Sequence, residues 1–69
     1  MSTGKAVRVD TVSATLTYVG EAATAIDESV AFWKIKRLNT VGTVLKIEWA
    51  DGNENYDNIW ADRASLTYS

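Results

Sequence analysis

The chain has 69 residues, the length of one small domain, with a net charge of −2 and no Cys, His or Pro. Without Cys or His, the composition excludes a zinc finger, a disulfide framework, a thiol nucleophile and an imidazole base. The acidic balance disfavours a general nucleic-acid binder, since such proteins carry a basic surface. We therefore expect a protein that is not an enzyme, with no metal or other cofactor and no nucleic-acid partner.

Targeting and membrane segments are not predicted. The longest uncharged run, residues 11–20, is too short and too rich in Thr and Ser to cross a bilayer. Residues 1–5 lack the apolar core of a signal peptide, and we expect them to be a flexible N-terminus. The sequence predicts a single domain over 1–69 that is made in the cytoplasm and does not bind a membrane.

The first predicted strand covers residues 6–19 and contains a change of register. Apolar residues in its second half occupy alternate positions: Val12, Ala14, Leu16 and Tyr18. Val7 and Val9 have the opposite parity, which predicts a bulge or bend near Asp10-Thr11. Residues 20–29 are irregular and predict a loop.

Two further strands, residues 31–38 and 44–50, form a predicted hairpin with a connection over 39–43. In the first strand, Trp33 and Ile35 are expected to point into the core. In the second, the alternating apolar residues are expected to do the same: Leu45, Ile47 and Trp49.

The C-terminal third predicts a turn, a helical segment and a closing strand. Asp51-Gly52 is a tight-turn dipeptide, and a short strand is expected near residues 53–56. Near residues 57–63, apolar residues recur every three or four positions, which predicts one helical turn. In residues 65–68, apolar and polar residues alternate again, which predicts a closing strand. We therefore predict an all-β fold, a small five-stranded barrel or meander that resembles an SH3-like barrel.

Aromatic residues supply one set of candidate contact residues. Tyr56 and Trp60 flank the predicted helical turn, where SH3-like and Tudor-like barrels place ligand-binding aromatics. Tyr68 is one residue from the end of the sequence, where chains fray unless they are anchored. We expect Tyr68 to pack on its own domain or on a neighbouring protein.

Basic residues supply a second set. Lys34 and Lys36 are expected to point outward from the central hairpin, on one face with Arg37 and Lys46. Acidic residues concentrate in 48–62, so the molecule is expected to be electrically polar. This arrangement favours either a solvated face or head-to-tail association between copies.

The C-terminal half resembles a group of short virion structural proteins of tailed bacteriophages. The resemblance is carried by Glu48-Trp-Ala-Asp-Gly52, Tyr56-Asp-Asn-Ile-Trp60, Arg63-Ala-Ser-Leu-Thr-Tyr-Ser69, Tyr18-Val-Gly-Glu-Ala-Ala23 and the Trp33-x-Ile35-x-Arg37 strand. It implies a virion part present in many symmetric copies, whose partners are other phage structural proteins and copies of itself.

Two placements in a particle follow from this resemblance. The protein would serve on the capsid as a cement or decoration protein, or at the neck or tail as a connector or fibre-attachment part. The alternative function is a cellular SH3-like or Tudor-like module that binds a protein or peptide.

Overall fold

A computed structural model describes residues 5–69 as one antiparallel sheet followed by a short helix. The four strands lie side by side in chain order: β1 (Lys5–Ser13), β2 (Leu16–Ala23), β3 (Lys34–Val41) and β4 (Val44–Trp49). A 3₁₀-helix, η1 (Trp60–Ser65), follows the sheet. The predicted all-β class is confirmed. The described residues form four strands in an open sheet, however, and not the five strands of the predicted barrel.

β1 and β2 are the two arms of a hairpin, so the prediction of one bent strand over residues 6–19 is wrong. The chain reverses at Ala14-Thr15, where the Thr15 N–H donates to the Ser13 hydroxyl at 3.3 Å. The register also shifts between Thr11 and Ser13. The predicted break in register is therefore real, but it accompanies a turn. Because this turn contains no Gly, Asn, Asp or Pro, its sequence signal is weak.

β3 and β4 are joined by a two-residue loop, Gly42-Thr43, which is shorter than the predicted connection over 39–43. Gly42 has a φ of +63°, as the first central position of a tight hairpin turn requires. The short loop fixes the strand register and pairs Leu38 with Ile47.

This register places the apolar residues of β4 on the face opposite Ile35. Leu45 and Ile47 are 57% and 55% exposed, and Trp49 on the same face is half-buried. The prediction that these three residues point into the core is therefore wrong. The physical reason is that strand side chains alternate between faces, so loop length decides which set faces the core.

The segment after β4 crosses the end of the sheet. Asp51 and Gly52 form the predicted tight turn, both with positive φ, +58° and +72°. Residues 53–56 form a bend and not the predicted short strand. The predicted helical turn is present as η1, shifted by a few residues. The closing strand predicted over 65–68 is reduced to one bridge, between Ala50 and Tyr68.

The core lies on one face of the sheet, here called the inner face, beneath η1. Its buried apolar side chains are Tyr18, Ala22, Trp33, Ile35, Ala50 and Trp60. Trp60 lies so close to Gly20 that a Cβ added there would be 2.5 Å from the indole ring. The rings of Trp33 and Trp60 are 6.0 Å apart. The predicted inward orientation of Trp33 and Ile35 is confirmed, since they are 0% and 1% exposed.

The core occupies one end of an elongated molecule. The described residues extend over 43 × 22 × 18 Å. We call the end that contains the core the base, and the opposite end, residues 11–15 and 41–47, the hairpin end. Every residue of the hairpin end is exposed. Within residues 5–69, no helix is long and apolar enough to span a membrane. The flexibility predicted for residues 1–5 concerns residues outside the described part, apart from Lys5, which begins β1.

Two isoleucines on opposite faces of the sheet provide a matched test of the fold. Ile35→Ala is expected to lower the free energy of unfolding by roughly 2–5 kcal/mol, because it empties a buried site. Ile47→Ala, measured in dilute protein, is expected to lower the free energy of unfolding by less than about 1 kcal/mol, because Ile47 is already more than half exposed to solvent. Urea unfolding of both variants checks the difference. Equal costs would contradict the observed strand register.

The contact between Gly20 and Trp60 provides a second test. Gly20→Ala is expected to cost roughly 1–3 kcal/mol, because the new methyl group collides with the buried indole ring. Thr17→Ala, in the same strand and on the opposite face, serves as the control and is expected to change stability by about 0.5 kcal/mol or less. If thermal unfolding shows Gly20→Ala to be as mild as the control, the close packing of Trp60 on β2 is wrong.

Candidate protein-contact face

The sheet has a second face, here called the outer face, that points away from η1. Register places six apolar side chains on it, which we call the outer apolar patch: Val7, Val9, Val19, Leu38, Leu45 and Ile47. Four of the six are more than half exposed, from 52% for Val7 to 63% for Val9. No segment of residues 5–69 covers this patch as η1 covers the inner face.

Strand pairing explains why these residues form one continuous surface. Val9 lies opposite Val19 in the β1–β2 pair, and Leu38 lies opposite Ile47 in the β3–β4 pair. Across the β2–β3 pair, Val19 lies opposite Lys36 and Leu38 lies opposite Thr17, so the two apolar pairs are diagonal neighbours. Single exposed apolar residues are ordinary on soluble proteins, whereas a continuous apolar face marks an interaction site.

A cluster of lysine and aromatic side chains borders the patch at the base. Lys34 Nζ lies 5.5 Å from the centre of the Trp49 ring and 5.4 Å from that of Tyr56. It also lies 3.6 Å from Glu54 Oε1. Lys36 Nζ lies 5.5 Å from the Trp49 ring. These cation–π contacts hold the two lysine side chains along the surface of the outer face.

Tyr56 is also contacted by Lys5, which begins the edge strand β1. Lys5 Nζ donates a hydrogen bond to the Tyr56 hydroxyl at 2.7 Å and lies 3.6 Å from Glu21 Oε1. The hydrogen bond to Tyr56 raises the pKa of the exposed Lys5 amine above its usual value, with Glu21 adding to the effect. Tyr56 thus lies between Lys5 and Lys34 at the base of the outer face.

The five candidate contact residues divide between the two faces. Lys34, Lys36 and Tyr56 come together beside the outer apolar patch. Trp60 lies in the core with 4% exposure, so it is not available as a surface contact and the sequence-based assignment is corrected. Tyr68 is half-buried on the inner face.

The C-terminal segment is anchored on its own sheet. The Trp49 N–H donates to the Ser69 carbonyl at 3.0 Å, and the Ser69 N–H donates to the Trp49 carbonyl at 3.1 Å. The Tyr68 ring packs 5.6 Å from that of Tyr18, and its hydroxyl donates to the Arg63 carbonyl at 2.8 Å. The expectation that Tyr68 is packed is confirmed, and the surface it packs on belongs to the same chain.

Charged residues pair within the chain more than the sequence suggested. Arg37 lies on the inner face, where its guanidinium bonds Glu48 Oε1 at 2.6 and 3.0 Å. Arg63 pairs with Asp10 at 3.0 Å across the same face. Lys46 lies on the inner-face side of β4, so the expectation of four basic residues on one face is wrong. The charge-driven argument for head-to-tail association is weakened accordingly.

The outer face was not recognised as a candidate site from the sequence. The alternation of apolar residues in β4 matches that of a core strand and therefore predicts that these residues are buried. The signal that would have found it is the loop Val41-Gly-Thr-Val44, in which Gly begins a two-residue turn. Counting from that turn places Ile47 opposite Leu38 and away from Ile35.

What this face offers chemically is a set of exposed apolar side chains interleaved with Glu21, Lys34 and Lys36, with aromatic rings at the base. Within residues 5–69, no group of three or more acidic residues is arranged to hold a metal ion. Comparisons with protein-family models, curated proteins and solved structures give no match to this chain. The geometry and chemistry of the outer face are therefore the basis of the functional argument.

Tyr68 offers a test of the anchored C-terminus by titration. Burial, together with the nearby Tyr18, raises the pKa of Tyr68 to about 12. Because the folded-state pKa exceeds the unfolded value of about 10, the stability that this tyrosine contributes is present below pH 10 and is lost as pH rises towards 12. Ultraviolet phenolate absorbance of the folded protein should show a late step, which Tyr68→Phe removes. Tyr56→Phe, which changes an exposed tyrosine, should leave the late step in place. A late step that survives Tyr68→Phe would contradict the assignment.

Proposed function

We propose that this protein is a non-enzymatic structural component of a bacteriophage virion. It binds other virion proteins, in multiple symmetric copies, through the outer face of its sheet. The observation that supports this proposal best is the outer apolar patch, with Val9, Leu45 and Ile47 all more than half exposed. Apolar area of this kind gains about 25 cal/mol for each Å² that a partner covers.

The anatomy of the outer face is that of a protein–protein contact. Binding energy in such contacts is concentrated in apolar and aromatic anchors at the centre, surrounded by a polar border that fixes orientation. Here Val19 and Leu38 lie on the two central strands, Ile47 lies beside Leu38 on the edge strand β4, and Lys34, Lys36 and Tyr56 lie towards the base. The lysines are held by aromatic rings before binding, so less side-chain entropy is lost when a partner arrives.

The phage assignment comes from the resemblance in the C-terminal half. The segments that carry it form the base of the molecule. Residues 48–52 end β4 and make the tight turn, residues 56–60 bridge Trp33 through Asn58, and residues 63–69 hold the C-terminus on β4. A resemblance in framework residues supports a shared fold, and the outer face supports the contact function. Both the capsid placement and the neck or tail placement fit this proposal.

The geometry does not favour a cellular peptide-binding or methyl-lysine-binding module. Such a module needs exposed aromatic rings that form an open groove. Trp60 is in the core, and Tyr56 is contacted by Lys5 and Lys34 of the same chain.

Purified particles provide the test. In gradient-purified virions of the phage or induced prophage that encodes this chain, quantitative mass spectrometry is expected to find it at a constant, symmetric copy number. Ile47→Lys is expected to reduce its incorporation about tenfold or more, because the substitution places a charge in an apolar contact. Val44→Lys is the matched control, since Val44 is equally exposed, lies in the same strand and points to the other face. A chain that is present in infected cells and absent from the particles would refute the proposal.

A further inference from the structure

We propose that β1 exchanges between two copies of this chain, so that each copy completes the sheet of the other. In the exchanged dimer the turn at Ala14-Thr15 is open, and residues 5–23 form one continuous strand. The partner is a second copy, and the contact is the pairing of β1 with β2 that the single chain already makes. This exchange goes beyond the proposed function, and it depends neither on the outer face nor on a place in a particle.

The register of the β1–β2 hairpin supplies the first argument. Seven consecutive pairs join residues 5–11 to residues 17–23, and all seven are centred on Ala14. Two open strands therefore pair antiparallel in this same register, with Ala14 of one copy opposite Ala14 of the other. Residues 11–17 contain no charged side chain, so the two copies meet at this point without like-charge repulsion.

The turn interrupts this regular register. It closes with Ser13 opposite Leu16, and Val12 is left without a partner on β2 in the described pairing. Val12 is 54% exposed. In the exchanged dimer the regular register continues, and Val12 of one copy lies opposite Leu16 of the other. Opening the turn thus adds an apolar cross-strand pair that the single chain lacks.

The turn is also weakly specified. A two-residue turn that matches the twist of its strands has a positive φ at its first central residue, as Gly42 has in the β3–β4 turn. φ is positive at neither Ala14 nor Thr15. The Thr15 N–H bond to the Ser13 hydroxyl is exposed and 3.3 Å long, so little stability is lost when it breaks. A short hinge of this kind favours exchange of a strand between copies.

β1 leaves its own sheet without removing a buried residue from the core. None of its nine residues is buried, and the buried core residues all lie within residues 18–60. Two ion pairs tie β1 to other parts of the chain, Arg8 with Glu28 at 2.8 Å and Asp10 with Arg63 at 3.0 Å. Both pairs form between copies in the exchanged dimer, so the exchange does not lose them.

Size-exclusion chromatography with light scattering tests the exchange on the full chain. Protein refolded from urea at about 1 mM is expected to contain a dimer of twice the chain mass, whereas protein refolded at about 10 μM is expected to be monomeric. Combining Ala14→Asn with Thr15→Gly gives the turn a dipeptide that favours a closed hairpin and should weaken the dimer about tenfold or more. Thr43→Gly, in the turn of the other hairpin, is the control and should change the dissociation constant by less than about threefold.

Paired charge reversals test which strand is exchanged. Asp10→Arg and Arg63→Asp each bring like charges together within their own chain. An exchanged dimer with one chain of each variant restores two opposite-charge pairs, so the mixture is expected to associate about tenfold more tightly than either variant alone. Arg37→Glu mixed with Glu48→Arg is the control, because this pair lies within β3 and β4 and stays in one copy. Circular dichroism checks that each variant is folded, and for an unfolded variant recovery of the signal on mixing reports the same pairing.

Three results would overturn the exchange. The first is a wild-type chain that stays monomeric after refolding at about 1 mM. The second is a dimer that the hinge variant and Thr43→Gly weaken equally, because its contact would not involve the hinge. The third is a mixture of Asp10→Arg and Arg63→Asp that associates no more tightly than its components. A chain found in particles without exchange refutes only this proposal, whereas a chain that exchanges but is absent from particles refutes only the proposed function.

Discussion

The contact between the Trp60 indole and the backbone of Gly20 is the constraint on which the rest of the structure depends. β2 presents a residue without a side chain at this point, and the indole ring occupies the space where a Cβ would be. That close approach brings η1 down onto the sheet and buries Trp60 against Trp33. The core therefore lies on the face of β2 where Gly20 leaves room for the indole ring.

The ordering of the base follows from the same contact. Trp33 is held by its indole N–H bond to the Asp27 carbonyl at 3.0 Å and by a backbone bridge to Asn58. The Asp27 carboxylate accepts bonds from the backbone N–H and the hydroxyl of Ser29, which lower its pKa and shape the loop beneath Trp33. The loop that contains Asp27, the helix η1 and the C-terminal segment therefore all pack on the inner face at the base. Within residues 5–69, the opposite face keeps Val7, Val9, Leu45 and Ile47 more than half exposed.

In the proposed function, contact through the outer face would depend on its exposed apolar side chains more than on unpaired charge. Arginines and glutamates pair with each other within the chain, as Arg37 with Glu48 and Arg8 with Glu28 show. The outer face carries valine, leucine and isoleucine, with lysines restrained at its base.

The sequence by itself determined the all-β class, the inward orientation of Trp33 and Ile35, the turn at Asp51-Gly52 and the helical turn near Trp60. Each of these depends on local chemistry: alternation with period two, a dipeptide that tolerates positive φ, and a change of spacing. Only the tertiary structure decided which face of β4 lies on the core side of the sheet. Alternation of apolar and polar residues defines two faces of a strand, but it does not say which face a distant helix covers. The two-residue loop Gly42-Thr43 sets the register, and this register places Leu45 and Ile47 on the face away from the core. The hairpin turn at Ala14-Thr15 was also beyond the sequence, because its residues fit a strand as well as a turn, and pairing with β3 selected the turn. The sequence did not reveal the candidate site on the outer face, because the apolar residue types that form a contact surface are the same types that form a core.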